Sequence, residues 1–249
     1  MRAQLRSELL KQRSTRTNLA LFAGMLGLVV IAVLLHGFGL AADNLGTTSD
    51  QLTTLLGRGE FLAALFGALL GALSITGEIR HGTIRPTFLV TPWRGRVVAA
   101  KALASTLIGA GFGLAAAALA VAVGTVALRA RGIDVELDGG DYALFIAGSA
   151  AAAALWAAIG VGVGAVVRNQ VPAVVGVATW LLFVESLLVG DLTGVGDVGR
   201  FAPGALGMAA SGQDPDALLA PAVGILLLVA YAAASVVAGW VTTTRRDVV

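Results

Sequence analysis

The chain has 249 residues, of which 57% are hydrophobic and only 13% charged, and its mean hydropathy is +0.87. A soluble domain carries about a quarter charged residues, so this composition excludes an ordinary water-soluble domain, and it also excludes a disordered chain, which needs more charge to stay solvated. The net charge is only +2, and the absence of cysteine excludes disulfides, thiolate zinc sites and cysteine nucleophiles. These proportions are typical of a membrane protein.

Six segments of the chain are apolar enough to be transmembrane helices. A bilayer core of about 30 Å needs roughly 20 apolar residues at 1.5 Å each, and runs such as 114–123 do not alternate in polarity as barrel strands would. The fifth segment contains one charge, Glu185, and the others contain none. The sequence therefore predicts an all-α membrane protein with a single transmembrane domain over residues 1–249. The six segments are residues 19–42, 61–77, 102–128, 142–167, 171–190 and 217–244.

The basic residues are concentrated in loops that would lie on one side of the membrane. Thirteen of the 17 Lys and Arg residues fall in the segment 1–18, in the loop 78–101, at Arg168 and at the C-terminus, and four fall in the other loops. Short loops rich in Lys and Arg stay in the cytoplasm, so we expect both termini to be cytoplasmic and the loop 191–216 to be external. A position at the inner membrane surface explains these charges without a nucleic-acid partner.

The first 18 residues have two interpretations. Leu5 and Leu9 are spaced i, i+4, as in a helix at the membrane interface, and the basic side chains around them can extend toward lipid headgroups. The same basic residues would also serve as a charge anchor without any helix, because each gains attraction to anionic lipid. Both interpretations stay open at this point.

The chain lacks the side chains of the common catalytic and metal-binding motifs. A phosphate-binding loop needs a Lys after a glycine-rich turn, and neither Lys11 nor Lys101, the two lysines, has that context. The two histidines, His36 and His81, are expected on opposite sides of the membrane, which excludes a site with two His ligands. We therefore expect no catalytic residue, no metal site and no cofactor bound by this chain, which is not predicted to be an enzyme.

The loop between the second and third segments carries the most specific pattern in the sequence. Residues 78–87 read Glu-Ile-Arg-His-Gly-Thr-Ile-Arg-Pro-Thr, and they are followed by Pro-Trp-Arg at 92–94 and by Lys101. This pattern resembles the first cytoplasmic loop of the ABC-2-type permeases of ABC transporters, which carry Glu, a basic residue, Gly-Thr-Ile or Gly-Thr-Leu, a Pro-x-Arg, and a Lys at the start of the third helix. Residues 7–16 and 201–204 are similar to the N-terminal segment and to the last external element of that family.

The resemblance implies a multi-pass membrane subunit of an ATP-driven ABC exporter in the bacterial plasma (inner) membrane. Such permeases pair with a second copy of the permease and with two copies of a cytoplasmic ABC ATPase subunit, which binds ATP and Mg. The loop 78–101 would be the coupling segment that docks on the ATPase. The residues that the resemblance assigns to ATPase coupling are Glu78, Arg80, His81, Gly82, Thr83, Ile84 and Arg85.

The spacing within this loop also predicts a short cytoplasmic coupling helix. Four of its residues are spaced i, i+3, i+4 and i+7, which places them on one face of a helix, and Pro86 is expected near the end of that helix. The alternative is a loop whose basic residues only fix the orientation in the membrane, and neither the acidic residue nor the Gly-Thr pair is needed for that. The four residues are Glu78, His81, Gly82 and Arg85.

Glu185 is the ionisable residue inside a predicted span. It lies fourteen residues after the start of the fifth segment, about 21 Å up, where an ionised group that faces lipid is costly. Three roles stay open: lining the substrate pathway or a dimer interface together with Trp180, bonding to a neighbouring helix, and lying at the outer rim. Two other functions also stay open, a stand-alone secondary transporter that uses Glu185 for proton coupling, and a membrane anchor or assembly factor that transports nothing.

Glycines recur at short spacings in three of the predicted spans. The patterns are Gly67-x-x-x-Gly71, Gly109-x-Gly111-x-Gly113 and Gly160-x-Gly162-x-Gly164. Small residues allow the backbones of membrane helices to approach closely. Because a chain with 33 glycines contains such patterns by chance, we expect them to pack helices within the chain rather than to mark a dimer seam.

Overall fold

The computed structural model describes residues 2–40, 45–90, 93–189 and 196–245, of which 87% are helical, with no strand among them. The all-α class is therefore confirmed. The α-helices are α1 Arg2–Ser14, α2 Arg16–Leu35, α3 Thr48–Asp50, α4 Gly57–Arg80, α5 Ile84–Val90, α6 Arg94–Ala130, α7 Gly139–Val167, α8 Gln170–Thr179, α9 Glu185–Val189, α10 Pro203–Ala210 and α11 Pro221–Arg245.

In the part of the chain that the structure describes, three π-helical turns and one 3-10 turn connect or extend these helices. The turn His36–Leu40 extends α2, Gln51–Leu56 joins α3 to α4, and Trp180–Val184 joins α8 to α9. The 3-10 turn Gly196–Phe201 precedes α10. As a result, α3 and α4 belong to one helix of 33 residues, Thr48–Arg80.

Five helices among the described residues are long and apolar enough to cross a membrane, which makes the chain a multi-pass membrane protein. They correspond to the first four and the last of the predicted segments. The other predicted segment, 171–190, contains an apolar helical run, Gln170–Val184, that is shorter. The five helices are Arg16–Gly39, Thr48–Arg80, Arg94–Ala130, Gly139–Val167 and Pro221–Arg245.

The second span begins well before residue 61, where the sequence analysis placed its start. The charged residues Arg58 and Glu60 precede the apolar run, so hydropathy alone begins the segment after them. In the structure Glu60 is only 3% exposed. Gln51 is fully buried, and its side-chain amide donates to the carbonyl oxygen of Asp134 at 2.8 Å. The helix extends through these polar residues because other parts of the protein cover them.

The expectation that Glu78 and Arg85 lie on one face of a single helix is wrong, although a short helix, α5 Ile84–Val90, does lie between the second and third spans. Gly82 has a φ of +69°, in the left-handed region that interrupts a helix, and the turn around it separates α4 from α5. Glu78 therefore lies in the last turn of one helix and Arg85 in the first turn of the next. Pro86 also lies in the first turn of α5, where its missing N–H needs no partner within the helix, rather than at a helix end.

The first residues form a helix, as one of the two interpretations proposed. The buried side chains of α1 are polar: Glu8 and Gln12 are 2% and 5% exposed. The amide nitrogen of Gln12 donates to Ser105 Oγ of α6 at 2.9 Å, whereas Leu10 is 60% exposed. Helix α1 is thus attached to the bundle by a polar face, which a charge anchor without a helix would not provide.

The two ends of the described chain lie at the same end of the helix bundle. Glu78, at the end of α4, accepts a hydrogen bond from Lys11 of α1 at 3.0 Å. Near the C-terminus, the ring of Trp240 in α11 lies against Gly95 at the start of α6. We call this end of the bundle the inner end, and the opposite end, where Glu60 begins the apolar part of α4, the outer end.

The run that starts with α8 passes from the inner end to the outer end. Arg80 Nη1 approaches Gln170 Oε1 at 3.4 Å, which places the start of α8 at the inner end of α4. At the other end of the run, Glu185 lines one cavity with Glu60. Glu60 and Arg80 are 20 residues apart on α4, a distance of about 30 Å along a helix.

Helix α7 is packed between α4, α6 and α11, and glycines set its distance from α4. A Cβ atom at Gly71 would overlap the carbonyl oxygen of Ala157, and one at Gly160 would overlap the carbonyl oxygen of Ala68. By contrast, a Cβ at Gly111 would meet nothing within 4 Å. The glycine patterns in these two helices therefore serve packing within the chain, as expected.

Candidate functional site

Four charged side chains from three helices meet at the inner end of the bundle. Lys101 Nζ donates to Glu8 Oε2 at 2.8 Å and to Glu78 Oε1 at 2.7 Å. Lys11 Nζ donates to Glu8 Oε1 at 2.7 Å and to Glu78 Oε1 at 3.0 Å. Lysines and glutamates thus alternate in a closed ring, which we call the inner network, and this ring joins α1, α4 and α6.

Lys101 lies at the centre of the inner network. Its side chain is 1% exposed, and its ammonium group makes a third hydrogen bond, to the carbonyl oxygen of Ser74 at 3.0 Å. An ammonium group has three N–H donors, so all of them have acceptors. The planar guanidinium of an arginine suits two parallel acceptors rather than three in different directions. This geometry accounts for a lysine at position 101, although the chain has only two lysines.

The ion pairs overcome the effect of burial on the two groups from α1. Burial by itself raises the pKa of Glu8, but the charge of Lys101 and the hydrogen bonds from both lysines bring that pKa below its ordinary value. Burial by itself lowers the pKa of Lys11, but the hydrogen bonds and charges of Glu8 and Glu78 bring it above its ordinary value. The folded protein therefore favours the charged form of both groups.

A crevice of about 500 Å³ lies beside the inner network, between α1, α4, α6 and the start of α8. Two buried acceptor atoms of its lining have no hydrogen-bond partner among the described residues, Gln12 Oε1 and Glu78 Oε2. His81 and Thr83 also line the crevice, so it is continuous with the turn between α4 and α5.

The structure divides the predicted coupling residues into three groups. Glu78 belongs to the inner network. Ile84 is 3% exposed and packs in an apolar cluster with Ile75 and Val98, while Arg85 lies in the first turn of α5. The residues that form an exposed surface are Arg80, His81, Gly82 and Thr83.

Glu8, Lys11 and Lys101 belong to none of the sites that the sequence alone predicts. No periodicity connects them, because Lys101 is 93 residues from Glu8. One signal was present in the sequence. The chain has two lysines and 15 arginines, and both lysines belong to the inner network.

At the outer end, Glu185 is 6% exposed and bonds to two parts of the protein. Trp180 Nε1 donates to Glu185 Oε1 at 2.7 Å, and the backbone N–H groups of Gly204 and Ala205 also donate to this carboxylate. Ala202, at the N-cap of α10, makes no side-chain cap. Glu185 thus caps α10 from a distant part of the chain, a favourable position for a carboxylate.

A small cavity of about 210 Å³ separates the second span from α10. Glu60 and Glu185 both line it, together with Arg58, which is partly exposed. The described residues contain no group of three or more His, Asp or Glu side chains that could hold a metal ion. Two buried carboxylates lie at the outer end, whereas the sequence alone predicts a role only for Glu185.

A family model described as ABC-2 family transporter protein matches residues 41–199, more than half of the chain. The chain belongs to the ABC-2 transporter family. This match confirms the resemblance that was based on the loop 78–101, which lies within the matched range. A search of the curated proteins gave no match.

An ABC-2 permease is a membrane subunit that is not itself catalytic and normally works with an ABC ATPase. The matched range contains Glu78 and Lys101 from the inner network, as well as Glu185. It does not contain α1, which supplies Glu8 and Lys11. The inner network thus connects the family-specific part of the permease to its N-terminal helix.

Proposed function

We propose that this permease is the membrane-spanning subunit of an ATP-driven exporter, in which two copies form the substrate pathway and two cytoplasmic ATPase subunits bind at residues 78–101. The observation that carries the proposal is the position of the inner network directly beside the exposed turn between α4 and α5. Glu78 is two residues from Arg80, where that exposed surface begins.

This arrangement suits a surface that must transmit a displacement. The exposed turn is continuous with α4, and the inner network holds α4 to α1 and α6 through ion pairs of 2.7–3.0 Å. A movement of the turn would therefore be passed to three helices rather than absorbed by one.

We propose six membrane crossings with both termini in the cytoplasm. Support comes from the path of the run Gln170–Val184 along α4, and from the common location of both chain ends at the inner end. The excess of Lys and Arg at that end supports its location in the cytoplasm, and the family resemblance supports a bacterial plasma membrane.

The substrate pathway or dimer interface is proposed to lie along the fifth crossing, near Trp180 and Glu185. Trp180 is 39% exposed, and its neighbours Leu182 and Phe183 are 45% and 62% exposed. This apolar face lies beside the cavity that contains Glu60 and Glu185. A second copy packed here would contact the apolar face, and it would meet polar groups only at the edge next to the cavity.

Variants of the exposed turn test the ATPase-docking part. The permease would be purified together with its ATPase, and the double variant Arg80→Ala/His81→Ala compared with wild type. We expect about tenfold less bound ATPase, corresponding to about 1.4 kcal/mol, and an equally lower rate of ATP hydrolysis in the complex. The matched control is Arg129→Ala, an exposed arginine at the other end of the bundle. Equal ATPase binding by the double variant and the control would reject docking at this turn.

The secondary-transporter function receives support from one observation, the second buried carboxylate. Glu60 and Glu185 line the same cavity, and intramembrane carboxylates are typical of proton-coupled transport. Proteoliposomes that contain the permease alone distinguish the two functions. Proton-driven transport that is lost in Glu185→Gln, without any ATPase, would favour this second function over the exporter.

A further inference from the structure

A groove of about 680 Å³ lies at the inner end, between the start of α6 and the last turns of α11. It is separate from the inner network and from the outer cavity. Ala99 and Val237 form part of its apolar lining, and Trp93, Arg96 and Trp240 also line it. The exposed turn at residues 80–83 does not line this groove, although the α6 side of the groove belongs to the segment 78–101.

The polar part of the groove is positively charged. Arg94 and Arg96 lie on its α6 side, and none of its described lining residues is acidic. The groove also lies at the N-terminus of α6, a helix of 37 residues whose dipole is positive at that end. The guanidinium of Arg96 lies 4.9 Å from the centre of the Trp93 ring, which holds its charge at this edge of the groove.

Two tryptophans place the groove at the level of the lipid headgroups. Trp93 is 66% exposed and Trp240 is 49% exposed, and tryptophans are enriched at the boundary between a membrane and water. Gly95 allows the Trp240 ring to lie directly on the α6 backbone, because a Cβ atom there would overlap Trp240 Nε1. The groove thus has an apolar lining that faces the bilayer and a cationic edge at the depth of phosphate groups.

We propose that this groove binds one anionic phospholipid from the cytoplasmic leaflet. The phosphate lies against Arg94 and Arg96 at the start of α6, and an acyl chain lies on Ala99 and Val237. An anionic headgroup fits better than a zwitterionic one because none of the described lining residues is acidic, so the positive part of a choline or ethanolamine has no partner among them. Basic pockets between membrane helices on this side bind anionic headgroups for the same reason.

Native mass spectrometry of the purified permease tests the proposal. The delipidated protein in detergent would be titrated with palmitoyl-oleoyl-phosphatidylglycerol or with the matching phosphatidylcholine, and the bound lipids counted. We expect one phosphatidylglycerol to bind more tightly than phosphatidylcholine. Arg96→Gln should weaken this binding about fivefold, the effect of one basic residue at a membrane surface. Ala99→Phe should remove it by filling the groove while every charge is kept.

The control is Arg13→Gln, which removes one exposed positive charge elsewhere at the inner end and should leave the binding unchanged. Elution as a single species in gel filtration verifies that each variant is folded. An equal effect of Arg13→Gln and Arg96→Gln would reject a specific site in favour of general attraction. Unchanged binding by Ala99→Phe, or no preference for phosphatidylglycerol, would also reject it. Loss of a permease dimer in Ala99→Phe, with lipid binding intact, would assign the groove to a second copy.

Discussion

The ammonium group of Lys101 has three N–H bonds, and each meets an acceptor from a different residue. Replacement by Met keeps the length of the side chain but leaves Glu8 and Glu78 with one counter-charge fewer in a buried position. Breaking a buried pair in this way costs about 3 kcal/mol or more. Lys11→Met is the matched control, and its cost is about 1 kcal/mol or less because the Lys11 side chain is 44% exposed.

The temperature at which half of the purified protein loses its single gel-filtration peak measures this difference. We expect a clearly larger decrease for Lys101→Met than for Lys11→Met. Similar decreases in the two variants would mean that the buried lysine does not hold the inner network together.

The inner network also predicts how stability depends on pH. The pKa of Glu8 is lower than its ordinary value of 4.5, so its contribution is complete above that value and is lost as the pH falls through the lowered one. The pKa of Lys11 is higher than its ordinary value of 10.5, so its contribution is complete below that value and is lost as the pH rises through the raised one. The linkage between proton binding and folding requires both signs.

Thermal stability measured across the pH range should therefore form a plateau that ends below about pH 4.5 and above about pH 10.5. Glu8→Gln should lower the plateau and flatten its acidic edge, because the variant has no carboxyl group to protonate at this position. If stability falls equally steeply at low pH in Glu8→Gln, carboxylates other than Glu8 cause that loss of stability.

At the residue scale, the sequence predicted a coupling role for Glu78 and included Lys101 in the family pattern, but it did not predict their contact. The family pattern contains both positions, whereas Glu8 entered only as part of an N-terminal segment. A contact between residues 93 positions apart depends on how α1 folds back onto α6, and neither hydropathy nor helical spacing contains that information. For the same reason, hydropathy left Glu60 outside the second span although the protein covers it.

At the scale of helices, the contact between α4 and α7 depends on glycines. Gly160→Val should separate these helices, because even a Cβ atom would overlap the carbonyl oxygen of Ala68. A loss of about 2 kcal/mol or more is expected, as for overpacked sites. Gly111→Val is the control, since a Cβ there meets nothing within 4 Å.

Expression level and thermal stability in detergent distinguish these two variants. Gly160→Val should give little monodisperse protein, whereas Gly111→Val should resemble wild type. If Gly111→Val is as damaging as Gly160→Val, Gly111 has a role outside the chain, such as contact with a second copy.

The elements of this fold were predictable to different degrees. Long apolar runs predicted the five helices among the described residues that are long enough to cross a membrane, because the bilayer core selects for apolar residues. The start of the second span was missed because buried polar residues such as Gln51 interrupt hydropathy without interrupting the helix. The break at Gly82 was missed because helical spacing alone does not reveal a left-handed turn. The π-helical turn Trp180–Val184 likewise has no periodic signal.

At the scale of the whole molecule, the number of crossings is linked to the position of the chain ends. An odd number of crossings places the ends on opposite sides of a membrane, and an even number places them on the same side. Here α1 and the end of α11 both lie at the inner end, as the contacts of Lys11 and Trp240 indicate. This parity supports the run Gln170–Val184 as an additional crossing, although it is shorter than the other spans.

Labelling of single cysteines in intact cells tests this topology, since the chain has no cysteine of its own. Gly139 and Asp216 are exposed at the outer end, whereas Thr83 is exposed at the inner end. A membrane-impermeant thiol reagent should therefore label Gly139→Cys and Asp216→Cys but not Thr83→Cys, which should react only after the cells are opened. Because Gly139 precedes α7 and Asp216 precedes α11, labelling of only one of the two would mean that the run between α7 and α10 does not cross. Labelling of Thr83→Cys alone would place the inner end outside the cell and reverse the proposed orientation.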